Sequence, residues 1–245
     1  MSTTYSVTRD QISNAALRVQ GWLDYQSTAD ATKLSNMAEA LNLMLKNWAT
    51  RGLKVWTIEE LTLGSSTLLV GQPLYTIGPS GGTFTANRPL MVNECLLRTL
   101  PQQQGQQDVP LTPMSKQEYL ALGNKLAIGT PNAYFYDPLL PLGMFYLYLA
   151  PDQYTVSNRE VHIFSRRQLA DMNSATDTFD LPQEWYEALK LGLADATSLE
   201  NQIPEVKADR IAARAKMALE QVEGWDTEHT STFFQPDTRG SRPNG

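Results

Sequence analysis

FDLPQEWYEALKLGLADATSLENQIPEVKADRIAARAKMALEQVE, residues 179 to 223, holds two helices in succession with one short break between them. Pro182 suits a first helical turn, where its missing N–H would have no partner anyway. From there Trp185, Ala188, Leu189, Gly192, Leu193, Ala196 and Leu199 fall on one face at spacings of three and four. Asn201-Gln202-Ile203-Pro204 ends that helix, since proline removes a donor and disfavours helix in the residue before it. The second helix carries Ile211, Ala215, Ala218, Leu219 and Val222 on one stripe, with Gly224 as its stop. Such a hairpin is marginal until its stripes are packed, so it needs a partner pair.

The other end of the chain supplies one. Thr8-Arg9-Asp10-Gln11 reads as a capping box, and Ile12, Ala15, Ala16, Val19 and Leu23 line the helix that follows to about Gly21. A second helix starts at Ser27-Thr28-Ala29-Asp30 with the stripe Leu34, Met37, Ala38, Leu41, Leu45 and Trp48, and Gly52 sits where a left-handed cap is wanted. The period changes at Leu53. β-Branched and aromatic runs at 53–58, 67–70 and 75–77, then at 90–100, 133–136, 143–149 and 160–165, predict strands. Gly78-Pro79-Ser80-Gly81-Gly82 lacks the Gly-Lys-Ser/Thr ending of a nucleotide loop and reads as a hairpin turn. Ser115 caps one short helix over 115–122, and Gln102 to Gln107 is a polar loop. The expected fold is α+β: an antiparallel helical bundle built from residues 1–52 and 180–224, an inserted mostly-β domain over 53–179, and an extended C-terminal arm over 225–245.

Composition narrows the function classes. The net charge of −6, with 19% charged and 42% hydrophobic residues, argues against a dedicated DNA clamp, which shows a basic excess. The single Cys95 excludes an internal disulfide and reads as a small buried hydrophobe. The N-terminus has neither a basic region nor an apolar run, and the longest apolar stretch, Leu139 to Ala150, is broken by Pro141 and Gly143. We therefore expect no signal peptide, no membrane span and synthesis in a cytoplasm. Of two histidines, His162 alternates with Val161 and Ile163 as a face residue of a strand, and His229 lies in the tail. Asp177, Asp180, Glu184 and Glu187 cluster, but acids near a helix N-terminus follow from the helix dipole alone. No catalytic, cofactor or metal residues are assigned. Lys207, Arg210, Arg214 and Lys216 are offset by Glu205, Asp209, Glu220 and Glu223, which marks a solvated face or one meeting a neighbouring subunit rather than a phosphate track.

Several stretches together resemble the head-to-tail adaptor family of tailed bacteriophages, also called tail accessory or head-completion proteins. They are Leu41-Asn42-Leu43-Met44-Leu45-Lys46-Asn47-Trp48 running into Gly52-Leu53, the turn Gly71-Gln72-Pro73-Leu74-Tyr75, and Gly129-Thr130-Pro131-Asn132-Ala133-Tyr134-Phe135-Tyr136 followed by Leu147-Tyr148-Leu149-Ala150-Pro151. The last is Leu181-Pro182-Gln183-Glu184-Trp185 with its helix. The resemblance covers about residues 5 to 224, and the order of the motifs carries it. It implies a virion protein of the head–tail junction: a ring of about twelve copies under the portal that continues the DNA channel and presents a surface for tail proteins. It implies a portal partner, tail partners, no cofactor, no enzyme activity and passing DNA that is not gripped; mild acidity around a ring would serve that. C-terminal extensions in that family reach the portal or a neighbour, which makes Trp225, Phe233 and Phe234 the expected docking anchors. The four basic residues Lys207, Arg210, Arg214 and Lys216 are the ring-interface candidates. Two other readings stand beside it: a cell-wall hydrolase using Asp180 and Glu184, and a carbohydrate- or protein-binding β module on a helical stalk.

Overall fold

In the computed structural model, Thr8 opens the first helix: its hydroxyl accepts from the Gln11 N–H at 3.4 Å while the Gln11 side chain accepts from the Thr8 N–H at 3.0 Å. The structure describes residues 5–50, 57–100 and 105–225. Over these the chain is a mixed α+β protein. Its helices are α1 (Arg9–Gln20), α2 (Ala31–Thr50), α3 (Lys116–Ala121), α4 (Gln153–Asn158), α5 (Tyr186–Ala196) and α6 (Glu205–Trp225). Its strands are β1 (Ile58–Leu63), β2 (Leu74–Gly78), β3 (Phe84–Thr85), β4 (Met91–Thr99), β5 (Asp108–Pro110), β6 (Thr112–Pro113), β7 (Ile128–Gly129), β8 (Ala133–Asp137), β9 (Gly143–Tyr148), β10 (Ala150–Pro151) and β11 (Arg159–Arg166).

The strands form a four-stranded antiparallel sheet in the order β1-β11-β4-β5, a five-stranded mixed sheet in the order β3-β2-β9-β8-β6, and a small parallel pair of β7 with β10. Period-two alternation turns Leu61 and Leu63, Cys95 and Leu97, and Val161 and Ile163 of the first sheet toward Tyr75 and Ile77, Tyr134, and Phe145 and Leu147 of the second. These side chains make one dry core. A bulge interrupts β4: Phe164 pairs with Glu94 and Ser165 with Val92, leaving Asn93 as the extra residue.

A second apolar core gathers residues far apart in sequence. Ile12, Ala16 and Leu17 of α1 and Met37, Leu41, Leu45 and Trp48 of α2 meet Ala188, Leu189 and Leu193 of α5 and Ile211 of α6. Leu169, Met172 and Phe179, from the segment between β11 and α5, join them. Helix α5 is buried on nearly every side and contacts each of the other three. Trp185, in a 3-10 turn that Pro182 leads, tilts against Trp48 with ring centroids 5.9 Å apart. Gly192 lets α2 approach. A Cβ there would lie 2.9 Å from Trp48 Cζ2 and 3.1 Å from Met44 Sδ. At one end, Gln20 Nε2 donates to Ala194 O at 2.6 Å and to Thr197 Oγ1 at 2.8 Å, its Oε1 accepts from Asn201 at 2.5 Å, and its backbone carbonyl accepts from Lys207 at 2.7 Å.

Several sequence expectations need correction. Residues 67–70 form a turn, not a strand: Thr67 and Leu68 both donate to Gly64 O, which drops Leu68 into the β core where local β propensity alone would have set a strand. The Gly78–Gly82 loop is not a hairpin. Strands β2 and β3 run parallel, and Thr83 doubles back on Thr76 through their hydroxyls and backbone N–H groups. Helix α6 does not stop at Gly224; it runs through it to Trp225, and Gly224 has no left-handed backbone. Ala196 and Leu199 are exposed, because α5 ends at Ala196 and the chain leaves the stripe. Short strands β5, β6, β7 and β10 and helix α4 carry no pattern that the reading detected. The expected cap Gly52, residues 53–56 of the strand expected over 53–58 and part of the glutamine tract lie outside the described residues. Thr57 is not in a strand, and β1 begins only at Ile58 and runs on to Leu63, where Glu59-Glu60 mask its pattern in the sequence.

Two changes test this packing. Gly192→Ala is expected to lower stability by about 1–3 kcal/mol by overpacking against Trp48, even though alanine favours helix. Gly224→Ala, with open space around its Cβ, should raise stability by about 0.5–1 kcal/mol. Urea unfolding midpoints measure both, and a stabilised Gly192→Ala would contradict the close approach. Gln20→Ala orphans several buried partners at once and is expected to destabilise by on the order of 2–4 kcal/mol in the same assay.

Candidate functional site

Most residues with catalytic potential are taken up by neighbours. His162 sits on the outer face of β11, 5% exposed. Its Nδ1 meets Glu60 and lies 3.4 Å from Thr62 Oγ1, and Glu160 stands 3.6 Å from Nε2. Arg98 holds Asp108 with two bonds of 2.8 and 2.9 Å and lies 3.9 Å from Glu60. The Arg98 hydrogen bond keeps the Asp108 carboxyl below its usual range, and the same bond raises Arg98. The result is a chain of polar and charged side chains across β1, β11, β4 and β5, in which His162 Nε2 is buried without a hydrogen-bond partner among the described residues. Cys95 is buried in the β core, and burial pushes its thiol far up, so it carries little thiolate.

The four carboxylates near the start of α5 are not gathered into one constellation of free groups. Asp177 accepts from the Ser174 N–H at 2.7 Å, both oxygens of Asp180 are engaged by Arg167, and Glu187 pairs with Lys190 at 2.5 Å. Glu184 is exposed, with no hydrogen bond or ion pair among the described residues, and so lacks the free partner carboxylate that a hydrolase pair would need. Among the described residues no group of three or more His, Cys, Asp or Glu side chains could hold a metal ion. No described helix is long and apolar enough to cross a membrane.

The candidate interface residues described by the structure lie on α6. Of the four basic residues singled out in the sequence, Lys207 turns inward to the Gln20 carbonyl and fastens α6 to the end of α1. Arg210 and Arg214 are exposed. Lys216 faces Glu220 one turn on at 3.8 Å, an exposed pair of little energetic weight. Trp225 ends α6 and is 66% exposed, while Phe233 and Phe234 lie outside the described residues.

Lys216 also lines an open groove. Helices α2 and α6 flank α5 on either side and leave a groove of about 540 Å³ above it. Met44, Gly192, Ala215 and Leu219 give this groove apolar walls, and Asp195, Lys216 and Glu220 give it charge. Asp195 is half-buried there, and its side chain has no hydrogen bond or ion pair among the described residues. Burial lifts its carboxyl above the ordinary value, since the charged form loses water and gains nothing in exchange. Nothing in the sequence marks Asp195, because aspartate late in an amphipathic helix gives no sign of which way it faces.

The sign of that shift makes a pH prediction. A carboxyl raised by folding destabilises the ionised protein, and the penalty vanishes below the unfolded value of about 3.9. Asp195→Asn should therefore be more stable than the parent at neutral pH, with the gain shrinking to zero as pH falls through that window. Urea midpoints at neutral pH and near pH 3.5 read it out. A less stable Asp195→Asn at neutral pH would mean that the carboxylate has a partner within the chain. Compared with known proteins, the chain matches no protein-family model and none of the curated proteins.

Proposed function

We propose that the chain is a head-to-tail adaptor of a tailed bacteriophage, a structural part of the virion that assembles as a ring of about twelve copies under the portal. In this reading residues 1–52 and 180–224 form an antiparallel helical bundle that is the adaptor body. Residues 53–179 are an inserted β-rich domain, and 225–245 are an arm that docks on the portal or on a neighbouring copy. The protein continues the DNA channel and offers a seat for tail proteins. It needs no catalytic, cofactor or metal residues of its own.

One observation carries the reading. Helices from the two ends of the chain share a single apolar core, with α5 at its centre, while the strands between them have a core of their own. That supports the order of motifs on which the resemblance rests: opening helices, central strand pair, return to the helices. The open groove between α2 and α6 supports assembly further. It offers an apolar floor and an unsatisfied carboxylate, Asp195, to a neighbouring molecule. Arg210 and Arg214, exposed on α6, are the cations best placed to meet acidic groups of the next copy.

The test is reconstitution with a candidate portal. The protein alone is expected to scatter light as a monomer at micromolar concentration and to appear as rings in electron micrographs only on the portal. Truncation after Gly224 should keep the melting temperature and abolish portal binding, since Trp225, Phe233 and Phe234 go with the arm. Unchanged portal binding by the truncated, folded protein would remove the arm's role, and a stable ring without any partner would contradict portal-dependent assembly.

A further inference from the structure

Arg166 is the last residue of β11, on the same outward face as His162 and Phe164. It is only 9% exposed, yet its guanidinium forms no ion pair or hydrogen bond among the described residues, and its Nε is fully buried without an acceptor. A buried guanidinium left unpaired is costly, and proteins rarely keep one without use for it. Burial without compensation also lowers its affinity for its proton. The neighbouring Arg167 is committed to Asp180, so Arg166 is a single unanswered cation.

It opens into a cleft of about 550 Å³ on the outer face of the four-stranded sheet, where β1, β4 and β11 run side by side. Asn93 lines the same cleft. It is the extra residue of the β4 bulge, and its Oδ1 is buried with no donor. Ile58, Met91 and Phe164 supply the apolar walls, and Met91 is 45% exposed. One wall thus offers an orphaned donor, another an orphaned acceptor, and the space between is apolar.

We propose that this cleft docks an extended polypeptide segment that presents a carboxylate beside an apolar side chain. The carboxylate accepts from the Arg166 guanidinium, whose planar fork matches two oxygens. A backbone N–H of the same segment donates to Asn93 Oδ1, and the apolar side chain rests on Ile58, Met91 and Phe164. A bare inorganic anion answers only the guanidinium and leaves Asn93 and the apolar walls unused. A nucleic-acid backbone is disfavoured as well, because the single cation lining the cleft cannot answer successive phosphates. The proposal is independent of the adaptor reading, since the residues involved lie outside α6, its groove and the C-terminal arm.

The experiment uses the full chain labelled with ¹⁵N and follows the side-chain Nε–H resonance of Arg166, assigned by its loss in Arg166→Gln. The probes are N-acetyl-leucyl-glutamyl amide, its leucyl-glutaminyl counterpart and inorganic phosphate. The glutamyl peptide is expected to shift the resonance saturably and to bind about tenfold more tightly than the glutaminyl one, with phosphate leaving it in place. In Arg166→Gln, followed through the side-chain amide resonances of Asn93 in the same cleft, the two peptides should bind alike. That variant should fold, because a neutral amide is easier to bury than an unpaired guanidinium. Asn93→Ala supplies an independent check: it should weaken both peptides while keeping the preference for glutamyl. Equal binding of the two peptides by the parent protein overturns the proposal. So does a phosphate shift as large as the peptide's, which would mark a simple anion site.

Discussion

A buried amide, Gln20, ties together helix ends that lie up to 187 residues apart in sequence. Its two N–H groups are used by Ala194 and Thr197, its oxygen by Asn201, and its backbone carbonyl by Lys207. Asn201 in turn receives Lys33 at the start of α2. Every donor and acceptor of the side chain is answered, which in a low-dielectric interior fixes position more sharply than apolar contact does. Apolar stripes decide which faces are buried; this polar knot decides how far α1, α2, α5 and α6 slide along one another. Because α5 is so short, its register there also sets where Trp185 meets Trp48 at the other end.

The link between the helical core and the strands runs through residues 166 to 181. Asn42 exchanges two bonds with the backbone of Met172, and Lys46 donates to Leu169 O, so this strap is sewn onto α2 as it leaves β11. Arg166 and Arg167 stand at the start of the strap with opposite fates. Arg167 closes it onto Asp180, whereas Arg166 remains in the sheet face without an answer. A doublet of identical residues is thereby split, at the point where the strand ends, into a clasp and an open guanidinium.

The sequence made the helices plain because their signals are local. Thr8 with Gln11 and Ser115 cap donors within one turn of themselves, and the stripes of α2 and α6 repeat several times. The longer strands other than β1 were legible for the same reason; β1 was not, because Glu59-Glu60 break its apolar alternation. What stayed hidden depends on partners elsewhere in the chain. Thr67 to Val70 has a strand's composition, but the β core needs Leu68 delivered from a turn. Gly82 sits 2.8 Å (measured to a hypothetical Cβ) from Thr76 O, a constraint that exists only once β3 has come alongside β2. Asp195 and Arg166 were invisible for a related reason: a charged residue's meaning lies in whether a partner faces it, and spacing does not say. The basic residues of α6 illustrate the converse. Lys207 looked like surface charge beside Arg210 and Arg214, yet it reaches back to α1.

The shared helical core also has a history in time. Helices α1 and α2 leave the ribosome well before α5, the strands between them being made first; the gap from Thr50 to Tyr186 takes roughly seven to twenty-seven seconds at ordinary elongation rates. During that interval Leu17, Leu41 and Trp48 have no lasting cover, while the sheets can already close on Phe145 and Ile163. The nascent chain is thus a finished β core trailing two sticky helices, and its most hazardous moment comes just before its last quarter appears. A holding chaperone bound to α1 and α2 would be released by the emergence of α5, whose apolar surface competes for the same faces.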